Sequence, residues 1–362
     1  MHYAVIMAGG RGQRLWPLSR RDRPKQIINL FEDQSLLRHC VNRISDIFGA
    51  DHIIVVTNAE YADVVHEHLP ELPTENILGE PVGRDTANAI GLAAAVLKQR
   101  DSDIVMAVFS ADQIIEPAEP LQKAVRQAID FIDNHPEALF TFGIKATFPH
   151  TGLGYLKRGN QSCPSCPDIY PVEAFREKPN KSTARQYIRS GRYCWNSGMF
   201  AWKVDTIWEQ LEHYLPHNAD RLNRIGSVWT GPDRDRVLAD EFVDLEKISI
   251  DYAVMERAKN VYMCELDCHW VDVGSYHALA DSIGTIDQDD NVSPAHTSCK
   301  WLDCSNNIAI TNSPDHLIAA IGVEGLVIVQ TDDATLICPR EDTDRLKELL
   351  ERIQTDGYER FL

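Results

Sequence analysis

Met7-Ala8-Gly9-Gly10-Arg11-Gly12-Gln13-Arg14-Leu15-Trp16-Pro17-Leu18-Ser19-Arg20 follows an apolar opening run, with Pro24-Lys25-Gln26 shortly after. Residues 5–8 read as a buried strand that empties into a glycine-rich loop. Three glycines let the backbone come close to an anion with its N–H groups directed inward. Arg11, Arg14 and Lys25 gather positive charge around the same point. A strand ending in such a mouth predicts an α/β fold with a phosphate site at the strand's end.

Two familiar phosphate loops are excluded. A Walker loop closes on Gly-Lys-Ser/Thr, which is missing here. A dinucleotide fingerprint needs a third glycine where Leu15 stands. Gly9-Gly10 alone would be only a tight turn. The whole string is more specific, and it resembles the signature of sugar-nucleotide pyrophosphorylases, a nucleotidyltransferase family. Arg14-Leu15-Trp16-Pro17-Leu18-Ser19-Arg20 with Pro24-Lys25-Gln26 looks like the mannose-1-phosphate guanylyltransferase branch.

Composition fits a small-molecule enzyme. The 362 residues can hold one large domain and a smaller appendage. Lys and Arg total 36 against 54 Asp and Glu, a formal charge of −18. Such a surface argues against nucleic acid or an anionic membrane as partner. The start lacks the charged and apolar regions of a signal peptide, and no run approaches the ~18 apolar residues of a membrane span. A cytoplasmic location is expected. Nine cysteines fit reduced thiols there. Cys163-Pro164-Ser165-Cys166 has no second pair at zinc-ribbon spacing, so free thiols in a surface loop are expected.

Alternating apolar runs and helical patterns predict a mostly parallel α/β sheet over the first two-thirds. Strands are expected at 5–8, 53–57, 76–79, 104–110, 138–144, 195–204 and 261–265. Ser35 can cap a helix whose Leu36, Leu37, Cys40, Val41, Ile44 and Phe48 share a face. Further helices are expected at 61–68, 85–99, 121–133, 206–213 and 250–258. Residues 147–180 read as an insertion. After the polar break at 288–291, short β pieces at 307–311, 317–321, 326–330 and 335–338 precede a helix at 344–353. The expected division is a catalytic domain over 1–286 and a small β-rich domain over 287–362. Composition leaves a sandwich and a β-helix open for the latter, and the resemblance implies a left-handed β-helix. The whole is then a Rossmann-like nucleotidyltransferase domain with a mixed, mostly parallel sheet, plus that appendage.

Asp112 and Asp272 each follow or end a strand-like run, where an open α/β sheet places its ligand groups. A strand-end Asp taken singly is more often a cap. By resemblance both are Mg²⁺ ligands, Mg²⁺ being a hard cation that takes one or two carboxylates plus phosphate oxygens. The family's usual His after the first Asp is Gln113 here.

Leu78-Gly79-Glu80-Pro81-Val82-Gly83-Arg84-Asp85-Thr86-Ala87 joins a turn, a cation and a helix start. Locally it reads equally well as a nucleotide contact or as an ordinary turn capped by Asp85. Glu80, Arg84, Thr86 and Ala87 match the family string, whereas Asp85 replaces Asn and Asn88 replaces Pro. By resemblance this turn faces the base and ribose, and Glu80 accepts from the guanine edge.

Thr151-Gly152-Leu153-Gly154-Tyr155, Phe175-Arg176-Glu177-Lys178-Pro179 and Trp195-Asn196-Ser197-Gly198-Met199-Phe200 resemble the family's sugar-side strings. Leu153 replaces an aromatic residue. Singly, the last two could be solvated turns. The resemblance runs from about residue 3 to residue 283.

It implies transfer of GMP from GTP to mannose 1-phosphate, with GDP-mannose and pyrophosphate as products. Arg14 and Lys25 are the expected catalytic cations. Ala8, Gly9, Gly10, Gly12, Glu80, Arg84 and Thr86 are expected around the nucleotide, and Gly154, Glu177, Lys178 and Asn196 around the sugar phosphate. Arg14 and the loop amides hold the β- and γ-phosphates, Lys25 the charge growing at the α-phosphate, and Lys178 the attacking phosphate. Another sugar 1-phosphate or nucleotide, a non-catalytic nucleotide-sugar-binding subunit, and a homodimer stay open. The residues after the β-rich segment are too few for the isomerase barrel of longer bifunctional relatives.

Overall fold

The computed structural model describes residues 1–362 except 11, 32–33, 165, 295–296 and 314, and of 30, 31 and 283 it describes the backbone alone. Arg11, expected beside the phosphate loop, lies outside the described residues. The chain forms two compact units that interleave along the sequence. The first gathers Met1–Gly9, Val41–Ala111 and Ile115–His269, and the second Gly10–Cys40, Asp112–Ile114 and Trp270–Leu362. The chain cut at 286/287 is thus a proposal about functional domains, and spatial packing follows a different division.

The first unit is built on a mixed sheet of nine strands among the described residues. His2–Met7 lies between Ile53–Asn58 and Val105–Ser110, parallel to both, and Ile77–Glu80 extends this parallel part. Their near-continuous apolar content suits strands covered on both faces. Tyr193–Lys203 then pairs antiparallel with Val105–Ser110 and with Leu139–Lys145. Thr86–Arg100 is buried from Ala87 to Leu97, as an Ala-rich helix packed against several neighbours must be.

Residues 147–180 are not an insertion. Tyr155–Arg158 and Ile169–Arg176 are strands of the main sheet. Pro171 and an irregular register between Val172 and Ala174 hide the alternation that would have shown this. Helices at Lys181–Ser190, Pro216–Ser227 and Arg234–Phe242 were also missed, and the helix expected at 250–258 is a π-helix over Asp251–Met255.

In the second unit, parallel strands stack as rungs. Ser298 pairs with Leu317 and Ile308 with Val327, each nineteen residues further on. Short Gly284–Ile286, Val292–Pro294 and Ser298–Leu302 strands join those expected. Leu15, Trp16, Leu18, Val273, Tyr276, Ile308, Ile310, Val327 and Val329 share this unit's core. Among the described residues no helix is long and apolar enough to cross a membrane.

Candidate active site

The phosphate-side residues gather in the second unit. The signature loop is anchored at its apolar middle, where the Tyr276 hydroxyl lies 2.8 Å from the carbonyl oxygens of both Leu15 and Trp16. Ser275 caps the helix carrying Tyr276, its Oγ accepting from the Ala278 N–H at 3.3 Å. Gly12 has φ 64°, and a Cβ there would sit 2.5 Å from the Lys25 Cβ. Glycine is therefore required twice, for the left-handed backbone and for the close approach of Lys25.

Lys25 forms an ion pair with Asp112. The Val273 N–H donates to the Asp112 carbonyl at 3.0 Å, so Asp272 lies on the backbone segment next to Asp112. Burial pulls the Lys25 ammonium down, but Asp112 and Asp272 outweigh it, and the net shift is upward even against Arg14. Arg14 is exposed at the same place, so Arg14, Lys25, Asp112 and Asp272 form one electrostatic group as expected. Gln113 accepts from the Trp270 indole N–H at 3.2 Å. Two carboxylates of hard oxygen donors fit a Mg²⁺ ion that completes its shell with substrate phosphate and water.

The base-side turn is in the first unit. Ala8 continues the sheet, its N–H donating to Val56 O at 2.8 Å and its O accepting from Thr57 Oγ1 at 3.0 Å. A Cβ on Gly9 would meet Glu80 Oε2 at 3.7 Å. Glu80 is 5% exposed, and its Oε1 has no hydrogen-bond partner. Burial, then the nearby Asp85 charge, push its carboxyl up to about 8. Asp85 caps the following helix, accepting from the Thr86 N–H at 2.8 Å. It does so at φ 69° and ψ 173°, a region nearly restricted to glycine, and such strain collects at functional turns. Arg84 donates to the Val243 carbonyl, and Thr86 Oγ1 accepts from the Ile250 N–H at 2.9 Å.

The sugar-side strings also meet in the first unit. A Cβ on Gly154 would collide with Glu177 Oε2 and lie 3.2 Å from the Asn196 Cβ. Glu177 is 8% exposed in its side chain and is paired with Lys178 at 3.0 Å, and Lys178 has φ 45°. The Glu177 N–H donates to Glu256 Oε1 at 2.8 Å. Gly154, Glu177, Lys178 and Asn196, far apart in sequence, are thus one cluster.

Sequence reading missed Asp251, which accepts from Asn196 Nδ2 at 2.9 Å. Ser249-Ile250-Asp251-Tyr252-Ala253-Val254-Met255-Glu256 reads as an ordinary amphipathic helix start, and nothing local marks the Asp. Among the described residues no group of three or more His, Cys, Asp or Glu is arranged to hold a metal alone.

Residues 3–229 match a family model described as nucleotidyl transferase, and 301–353 one described as a MannoseP isomerase/GMP-like beta-helix domain. A mannose-1-phosphate guanylyltransferase of Klebsiella pneumoniae is 38% identical, over 98% of this chain and 75% of that protein. One from Escherichia coli K12 is 37% identical, over 98% and 74%. A crystal structure from Thermus thermophilus, titled as a mannose-1-phosphate geranyltransferase, has TM-score 0.85 and 31% identity over 98% of this chain and 99% of that one. With the signature loop, the rung-like C-terminal strands and these matches together, the chain belongs to the mannose-1-phosphate guanylyltransferase family of nucleotidyltransferases.

Proposed function

We propose that this chain transfers GMP from GTP to mannose 1-phosphate in one in-line displacement. A phosphate oxygen of the sugar phosphate attacks the α-phosphorus, the bond to the β-phosphate oxygen breaks, and pyrophosphate leaves. GDP-mannose is the other product. Such transfers need positioning and charge neutralisation more than proton transfer. The observation that carries the reading is the Lys25–Asp112 ion pair with Asp272 beside it, at the root of the signature loop.

In this reading Arg14 and the amides of Gly10 and Gly12 receive the β- and γ-phosphates. Lys25 exchanges Asp112 for the α-phosphate as negative charge grows there. Asp112 and Asp272 would hold Mg²⁺, whose charge neutralises the phosphates when bound. Glu80 accepts from the guanine N1–H and exocyclic amine, groups adenine lacks. Glu177 and Asn196 take sugar hydroxyls, and Lys178 takes the attacking phosphate. GTP and mannose 1-phosphate are the small-molecule partners, the cytoplasm the location and a homodimer the assembly to test by sedimentation.

The test is product analysis on the purified chain. GDP-mannose and pyrophosphate should appear in equal amounts from GTP, mannose 1-phosphate and Mg²⁺. Faster turnover with another sugar 1-phosphate, or with UTP or dTTP, would replace the substrate assignment.

A further inference from the structure

Asp251 opens the π-helix Asp251–Met255, and π turns are rare and concentrate at functional sites. Its carboxylate accepts from Asn196 Nδ2 at 2.9 Å. An ionised carboxylate can only accept, so this contact decides which end of the Asn196 amide is nitrogen. The other end agrees, since the Thr141 hydroxyl lies 3.1 Å from Asn196 Oδ1. With Oδ1 and one N–H engaged, the second Nδ2–H is the group this amide has left to donate.

The segment leading to Asp251 is not a free loop. Asn88 Nδ2 donates to Glu246 O at 2.8 Å, the Ala87 N–H to Ile248 O at 3.2 Å, and the Ile250 N–H to Thr86 Oγ1 at 2.9 Å. Asn218 Nδ2 donates to Asn88 Oδ1 at 2.8 Å and to Glu246 O at 3.0 Å. Asn88, which stands where the family string has Pro, is thus the centre of a latch from the base-side turn to the strap that ends in Asp251.

We propose that Asp251 is a positioning residue for the sugar 1-phosphate, locking the Asn196 carboxamide so that one N–H points at a ligand oxygen. The inference rests on the guanylyltransferase reading and deepens it. Asp251 faces Glu177, Lys178 and Asn196, and burial, then the Glu177 charge, raise its carboxyl to about 7. A carboxylate so costly to ionise adds little to stability by itself, which fits retention for placement instead.

The experiment measures KM for each substrate and kcat in wild type, Asp251→Leu, Asp251→Asn and Thr141→Val, with thermal melts alongside. Asp251→Leu should raise KM for mannose 1-phosphate roughly tenfold to a hundredfold, the scale of one hydrogen bond to a charged group, and leave KM for GTP within about twofold. Asp251→Asn keeps an accepting oxygen and should recover most of the loss. If Asp251→Leu does not fold, Thr141→Val carries the test, because it frees the other end of the same amide and should raise the same KM several-fold. Unchanged sugar-phosphate KM in the folded variants, or equal rises in both KM values, would overturn the inference while leaving the function intact. A wild-type chain that neither binds nor turns over mannose 1-phosphate would overturn the reading, and the inference with it.

Discussion

The phosphate side and the sugar side solve opposite electrostatic problems. Around Lys25 the charges are matched, with Arg14 and Lys25 facing Asp112 and Asp272. Around Asn196 they are not, because Glu177 and Asp251 outnumber Lys178, and Lys178 is 56% exposed. A matched cluster can trade partners, since a phosphate can take Lys25 from Asp112 and free that carboxylate for a cation. A cluster of acceptors with oriented amides instead waits for donors, which is what sugar hydroxyls bring. Exchange on one side and fixed complementarity on the other divide the work between charge neutralisation and recognition.

The metal end of this comparison should give the largest effect. Excess EDTA should abolish turnover. Asp112→Asn and Asp272→Asn should each cost about 10²-fold or more in kcat at fixed Mg²⁺, the scale of one lost preorganised charge. A Mg²⁺ titration should show a higher requirement in each. Full activity in EDTA would break the contrast at its root.

Glu80 tests whether the recognition side carries an uncompensated acceptor. Its folded pKa is raised, from 4.5 to about 8, so folding favours its protonated form. That stabilisation is complete below the unfolded value and is lost as pH rises toward the folded one. Glu80→Gln cannot ionise and should not lose it. Relative to wild type, the variant should gain about 2–3 kcal/mol in urea unfolding between about pH 5.5 and 7.5. A difference independent of pH would mean that the Glu80 carboxyl titrates normally.

The smallest effect is expected at Asp85. Its side chain is committed to the Thr86 N–H, so Asp85→Asn should keep the cap and leave the GTP/ATP ratio of kcat/KM within about twofold. A larger change would place Asp85 at the base or ribose.

How much of this was legible in the sequence follows from contiguity. Lys25 and the glycines sit in one string, and Asp112 and Asp272 end recognisable strand-like runs, so period and composition suffice. The parallel part of the sheet was readable for the same reason. Asp251 was not, because its meaning comes from an Asn fifty-five residues earlier. The strands at Tyr155–Arg158 and Ile169–Arg176 were hidden by shortness, Pro171 and a register irregularity. Arg84, Thr86 and Asn88 could be read as nucleotide contacts or as a turn. Their hydrogen bonds to 243–250 depend on a tertiary contact that local spacing does not encode.

The most direct test is a side-by-side determination of kcat and both KM values for Lys25→Ala and Glu177→Gln. The account predicts that Lys25→Ala lowers kcat by about 10²–10³ with modest KM changes, since its charge is used as the transition state forms. Glu177→Gln should mainly raise KM for mannose 1-phosphate. The reverse pattern, a KM defect at Lys25 and a pure kcat defect at Glu177, would contradict the division.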